Sequence, residues 1–384
     1  MQRKTYDAIV VGVGGMGSAA CYHLARRGMR TLGLEKFDIP HTMGSSHGIT
    51  RIIRLAYYED PSYVPLLLRA FELWDELEAE SGRRLLEVTG TIDASGPDEI
   101  VFTGSLASCE EWNLPHEVLT SAKLTARYPG YRLPPEHLAL FQPRGGFLLP
   151  ERCISTHVTG ALAYGAEIHA REPVLDWETT ASGVRVITER GSYEAEQLVL
   201  AAGAWMQGLV PLLQGLAQPE RQVLGWFAPL DPEFFTPERF PVFNLMVPEG
   251  RYYGFPEYDV PGMKIGLYHH LEENVDPDDF DREPNLADEE ILRAAISRYF
   301  PAADGPVMAL RSCMFTNTPD EHFILDTLSG YPQVVIASPC SGHGFKFASV
   351  IGEVLADLVK LGQTRHDIAL LRLDRLTEPT TAPA

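Results

Sequence analysis

Lysine is scarce in this chain of 384 residues: Lys4, Lys36, Lys123, Lys264, Lys346 and Lys360 are the full set, and every other cation is an arginine. Against 32 Lys and Arg stand 52 Asp and Glu, a formal net charge of −20. A surface of that sign repels phosphate backbones and anionic lipid, which counts against nucleic acid and membranes as partners. Cysteine is equally sparse. Cys21, Cys109, Cys153, Cys313 and Cys340 are odd in number and far apart, with no CxxC pair and no Cys/His cluster at zinc spacing. Neither a disulfide framework nor a bound metal is expected, and the usage suits a reducing, cytoplasmic compartment. No apolar run reaches the roughly 18 residues of a membrane span. The start, Met1-Gln-Arg-Lys4, resembles a leader superficially, but glycines soon interrupt the apolar run and no small-residue cleavage region follows, so none is expected.

What is present is a globular composition, 45% apolar and 22% charged, which rules out wholesale disorder. The length suits two domains of about 150 residues or somewhat more. At the N-terminus, Tyr6-Asp-Ala-Ile-Val-Val-Gly reads as a strand and Gly12-Val-Gly-Gly-Met-Gly17 as a GxGxxG turn. Residues 18–27 have helical spacing, and Thr31-Leu-Gly-Leu-Glu35 is a second strand ending in a carboxylate. That order is what a dinucleotide needs. Gly12 allows the turn, Gly14 lets backbone approach the pyrophosphate, Gly17 lets helix and strand pack, and Glu35 accepts from ribose hydroxyls. The unit alone permits NAD as well as FAD.

Further apolar strands are expected at Val184-Arg-Val-Ile-Thr, Leu198-Val-Leu-Ala-Ala-Gly203 and Val334-Val-Ile-Ala. The small residues Ala201, Ala202 and Gly203 allow close approach to a nucleotide. Ser341-Gly-His-Gly344 then leads into a helical run over 347–361. The fold expected is α/β, with one nucleotide domain assembled from 1–86, 148–217 and 319–373. Residues 87–147 and 218–318, richer in Pro, aromatics and alternating patterns, form a second domain built on a mainly antiparallel β-sheet. Residues 374–384 read as a disordered tail.

Four stretches stand out chemically. Arg51 and Arg54 are three apart among apolar residues, which on a helix or tight turn puts both guanidinium groups on one side: surface arginines, or an anion site. Lys264 sits in the alternating Met263-Lys-Ile-Gly-Leu-Tyr268, either snorkelling from an edge or buried with a lowered pKa. Cys313 is flanked by apolar residues, the setting of an inert core thiol. Lys346, between two phenylalanines just after a glycine turn, opposes a helix dipole and needs an anionic partner.

Together, Ser46-His-Gly-Ile-Thr-Arg-Ile-Ile-Arg54, Tyr253-Gly-Phe-Pro256, Lys264-Ile-Gly266, Cys313-Met with Thr-Asn-Thr-Pro-Asp-Glu-His-Phe323, and Ser341-Gly-His-Gly-Phe-Lys-Phe347 resemble the monomeric sarcosine oxidase and N-methyltryptophan oxidase family over nearly the whole chain. The resemblance implies a Rossmann-like FAD domain, with FAD joined to Cys313 through an 8α thioether. It implies Arg54 and Lys346 on the substrate carboxylate, Arg51 near the flavin, Lys264 on the face where O2 is reduced, and Tyr253 at the substrate. It extends the cofactor set to Lys36, Ser45, Val174, Gly342, Gly344 and Lys346. The implied activity is oxidation of a secondary N-methyl amino acid, sarcosine first, to an imine that hydrolyses, with H2O2 formed from O2 by a monomer. A cyclic imino acid such as proline or pipecolate, a bulkier N-alkyl amino acid, or a non-catalytic FAD-binding role are the alternatives.

Three positions depart from the family pattern. Phe315 replaces the usual Tyr, and Ile49 a frequent Asp. The family's catalytic histidine falls on Tyr268, unless a one-residue shift brings in His269.

Overall fold

The computed structural model describes residues 5–377, organised by three sheets. In the first, Thr5–Val11 pairs in parallel with Thr31–Leu34 on one side and Gly191–Leu200 on the other. Glu167–His169 and Val334–Ser338 extend the parallel part outward. Antiparallel strands Val174–Thr180, Gly183–Thr188 and Ile324–Thr327 complete it. Buried parallel strands need helices to cross back over them. Gly15–Arg26 crosses back from Thr5–Val11 to Thr31–Leu34, and Ala348–Leu361, which follows the last strand, packs against that helix where Gly352 meets Ala19. Strands from the start, middle and end of the chain thus lie side by side in one mixed α/β layer.

The second sheet runs in the order Val307–Asn317, Gln218–Phe227, Met263–Leu267, Gly250–Phe255, Val242–Val247, Thr91–Ser95, Leu138–Gln142, Glu117–Thr120. All its pairs are antiparallel except Val242–Val247 with Thr91–Ser95. Side chains alternate between the faces of a strand. One face carries Ile92, Val223, Phe243, Leu245, Tyr252, Met263 and Ile265, which form a single core with helix Leu286–Tyr299. The alternate positions, Asp93, Asn244, Tyr253, Lys264, Cys313 and Phe315, share the opposite face. Register lines them up: Asp93 is beside Asn244, Asn244 beside Tyr253, and Cys313 beside Gln222. The alternation explains how a lysine enters an apolar strand, since Met263 and Ile265 fill the core while Lys264 points the other way.

A small third sheet joins Arg51–Ile53 to Gly146–Leu148 and Leu86–Val88. Arg51 therefore lies on a strand and Arg54 just past its end, in place of the expected helix or tight turn. The first helix begins at Gly15, three residues earlier than its apolar spacing suggests. Of the expected tail, Asp374–Thr377 form a short helix, with Arg375 donating to Asp320 at 2.8 Å, and residues 378–384 lie outside the described residues. Among the described residues no helix is long and apolar enough to cross a membrane.

Candidate active site

A cavity of about 510 Å³ opens where the parallel strands of the first sheet end, at Val11, Leu34, Ala201 and Ala337. Gly12 turns there with φ +88°, and a Cβ on it would lie 2.6 Å from the Ala201 carbonyl oxygen. Gly17 packs the helix directly on this turn, behind the cavity wall. The helix start at Gly15 has no side-chain cap in its own turn and no acidic residue, so apart from Ser46 Oγ at 3.3 Å its N–H groups and dipole face the cavity for an anion. Glu35 is held at the end of its strand by the N–H groups of Val13 (2.7 Å) and Phe37 (3.0 Å). Gly14, Lys36, Ser45, Val174, Ala202 and Gly203 line the same space. At its mouth Lys36 and Trp205 Nε1 both reach Asp278, at 2.5 and 2.9 Å.

Met16, Ser45, Ser46, Pro339 and Cys340 also border a second cavity of about 80 Å³. Ser45 Oγ, on this shared wall, is buried without a hydrogen-bond partner among the described residues. The remaining walls bring together Arg51, Arg54, Asn244, Tyr253, Phe255, Tyr268, Phe315, Gly342, His343, Gly344 and Lys346.

Arg54 is buried, and Nη2 donates to both Glu59 oxygens, at 2.8 and 2.6 Å. Burial works against its charge, but Glu59 and Asp93 outweigh it, so the pKa rises well above its ordinary value. Burial would lift the Glu59 carboxyl; Arg54, His343 and Lys346 pull it down instead, to about 2. Lys346 Nζ donates to the His343 carbonyl at 2.5 Å. Burial and then Arg54 push its pKa down to about 7, against the support of Glu59 and Asp93. His343 itself is pushed down to about 4 by burial and is neutral. Its Nε2–H donates to the Glu321 carbonyl (3.0 Å), which leaves Nδ1 to accept from Tyr57 OH (2.5 Å). With Lys346 protonated, the wall of the small cavity carries three cations, Arg51, Arg54 and Lys346, and among the described residues no carboxylate lines it; Glu59 and Asp93 offset the charge without lining it.

Arg51 donates to the Ser45 and Thr50 carbonyls at 3.0 Å each, and its Nη2 lies 3.4 Å from Cys313 Sγ. The buried thiol is also 3.8 Å from the Ser45 carbonyl, so it abuts the loop forming the shared wall without lining either cavity. Lys264 likewise sits behind the wall. It donates to Gly48 O (2.7 Å), Thr50 O (2.9 Å) and Thr50 Oγ1 (2.9 Å), while burial and then Arg51 push its pKa well down. The same loop is gripped from the other side by Glu151, which accepts from Gly48 N (2.7 Å) and Ile49 N (3.1 Å). Those bonds hold Ile49 at φ 73°, a conformation a β-branched residue rarely adopts.

His269 lines neither cavity. Tyr268 continues the alternation of its strand onto the cavity wall, whereas His269 turns away at φ 55°. Its ring bridges Glu220 (3.0 Å) and Glu321 (2.8 Å), and those bonds raise its pKa to about 9. The Tyr268 ring packs against Tyr253 and Phe315, with the Arg251 guanidinium 3.8 Å from its centroid. Glu59, Asn244 and Arg251 escape a reading of the sequence. Only Asn244 leaves a trace in it, as a lone amide in the apolar run Val-Phe-Asn-Leu-Met-Val.

A dinucleotide-binding fold with a small, cation-lined cavity across a shared wall is that of a dinucleotide-dependent oxidoreductase. The chain belongs to the FAD dependent oxidoreductase family, DAO, whose profile matches residues 7–358. Within it the chain falls in the group of monomeric sarcosine oxidases and N-methyl-L-tryptophan oxidases. It is 41% identical over 389 residues to a monomeric sarcosine oxidase of Streptomyces avermitilis, covering 99% of each chain. It is 35% identical to an N-methyl-L-tryptophan oxidase of Yersinia pestis, over 96% of this chain and 99% of that one. The solved structure of NikD, an unusual amino acid oxidase essential for nikkomycin biosynthesis, superposes with a TM-score of 0.82 at 26% identity, over 96% and 97% of the two chains. FAD is thus the dinucleotide, and the uncapped helix start, Glu35 and the unpartnered Ser45 Oγ fit it.

Proposed function

We propose that the protein oxidises small N-methyl amino acids, sarcosine first, with O2 as electron acceptor. One observation carries this reading: in a chain of net charge −20, Arg54 and Lys346 share the wall of a cavity of about 80 Å³ that has five wall residues in common with the cofactor cavity. Such a pair orients a ligand with one carboxylate and one amine. FAD, when bound, accepts two electrons from the C–H bond beside nitrogen and passes them to O2. Overall, sarcosine, O2 and water give glycine, formaldehyde and H2O2.

In this reading Arg54 and Lys346 hold the carboxylate, while Tyr253, Tyr268 and Phe315 exclude water from the N-methyl group. Arg51 fixes the Ser45 loop and Cys313 is the thioether ligand of the flavin. Lys264 faces the negative charge that develops as O2 is reduced. The strands of the first sheet support a cofactor domain in 1–86, 148–217 and 319–373, and those of the second a substrate domain in 87–147 and 218–318. The protein acts as a monomer, as the names of its sarcosine oxidase relatives state of them, in the cytoplasm, where its other four cysteines stay reduced.

Assaying the FAD-loaded protein for H2O2 with sarcosine, other N-methyl amino acids, proline and pipecolate tests the reading; peroxide from none of them contradicts it. Arg54→Met weakens carboxylate ligands by at least about tenfold, ~1.4 kcal/mol, and unchanged affinity in a flavin-absorbance titration removes Arg54 from the site. Carboxylate affinity also falls as pH rises through about 7, because free Lys346 loses its proton there while a bound anion favours the protonated form. Lys346→Met abolishes that pH dependence, which the same titration measures.

A further inference from the structure

We propose that Asn244 is a specificity-determining residue that accepts a hydrogen bond from the N–H of the substrate's secondary amine, so that the site favours amines bearing such a hydrogen over isosteres that lack it. The inference rests on the amino-acid oxidase reading above and deepens it.

Asn244 lies in the middle of Val242–Val247, 2% exposed, between Phe243 and Leu245 of the opposite core. An amide buried there costs free energy unless both of its halves are used. Its Nδ2 donates to Asp93 Oδ1 at 2.6 Å, and Asp93 Oδ2 accepts from Ser105 Oγ at 3.0 Å. A carboxylate that accepts on both oxygens, itself fully buried, fixes which way the amide points. The amino half faces Asp93, and the carbonyl half is left over. Among the described residues nothing donates to Asn244 Oδ1, and unlike the Asn317 amide oxygen it is not sealed off as a buried, partnerless atom. The residue lines the small cavity beside Arg54 and Lys346.

The cavity therefore holds donors for a carboxylate and, next to them, an oriented neutral acceptor. His343 does not compete for that role, since both its ring nitrogens are committed. Neutrality matters chemically. A carboxylate facing the amine would stabilise its protonated, unreactive form, whereas an amide accepts the N–H without that electrostatic bias. Asn244 stands between the cavity and the Asp93 charge. A ligand without the hydrogen leaves Oδ1 unpaired, and sites built around a hydrogen bond reject such analogues strongly.

Pyrrole-2-carboxylate and furan-2-carboxylate test this, because they share size and carboxylate and differ in N–H against O. The holoenzyme binds the pyrrole at least about tenfold tighter in a flavin-absorbance titration, and Asn244→Leu brings the two within about twofold by weakening the pyrrole alone. A second variant, Asp93→Asn, lets the amide turn over and erodes the same preference with Asn244 intact, which a purely structural role would not do. Asn244→Ser substitutes where the leucine variant does not fold, and it too loses the preference. Binding of both rings with no N–H preference in the native enzyme, or a preference that survives in the variants, overturns the role of Asn244 alone. Failure of both rings to bind overturns the carboxylate site and this inference with it.

Discussion

Replacing Lys264 with Met slows electron transfer to O2 by about a hundredfold or more, while reduction by the amine changes by less than about threefold. The asymmetry follows from where Lys264 sits. It does not itself line the substrate cavity, so binding and C–H cleavage do not depend on it directly. Its ammonium is instead fixed by three oxygens of the loop over residues 48–50, in a dry site behind the shared wall. A charge with so little freedom needs no reorganisation when O2 takes on electrons, and that preorganisation gives such groups their large effect. The depressed pKa adds a second capacity, since the proton on Nζ is more easily given up than that of an exposed lysine. Methionine keeps the length but carries neither the charge, which lies 4.3 Å from the centre of the Phe255 ring, nor the proton. Stopped-flow measurement of the two half-reactions separates the outcomes, and equal slowing of both removes Lys264 from the oxygen step.

Cys313→Ala releases all the flavin when the protein is denatured, whereas the native protein keeps it through acid precipitation. Burial hides Cys313 from bulk solvent, and its Sγ meets Arg51 and the Ser45 carbonyl, the loop that both cavities share. The Arg51 guanidinium lies 3.4 Å from Sγ. The other thiols are set elsewhere: Cys21, Cys109 and Cys153 are buried in the core packed around helices Gly15–Arg26 and Ala348–Leu361, and burial raises the pKa of each. Cys340 lines the shared wall, and burial pushes its pKa up to about 11. Flavin that stays attached in Cys313→Ala assigns the link to another residue, Cys340 first.

The cofactor half of the site is legible in the sequence because its requirements are local. Gly12, Gly14 and Glu35 act through backbone shape and chain order within one strand-turn-helix-strand unit, and all three line the cavity. Lys264 is legible for a similar reason, as the odd member of a period-2 pattern. The substrate half depends on distant strands meeting in register. Nothing near Arg54 announces that Glu59 will neutralise it, and Asp93 meets Asn244 only because residues 91–95 and 242–247 pair across the sheet. His269 misleads by proximity: counting from Lys264 makes it a neighbour of the site, but strand alternation gives the wall to Tyr268. The cation spacing in Arg51 and Arg54 suggests a helix, yet the two reach one cavity from the end of a strand where the chain turns.

The central claim is that the cation pair and the flavin enclose the same small amino acid. Anaerobic addition of sarcosine to the holoenzyme, followed by flavin absorbance, tests it most directly. The account predicts complete bleaching, with formaldehyde formed in equal amount to the flavin reduced. A flavin spectrum that stays oxidised at saturating sarcosine, in protein that still binds other carboxylates, contradicts it.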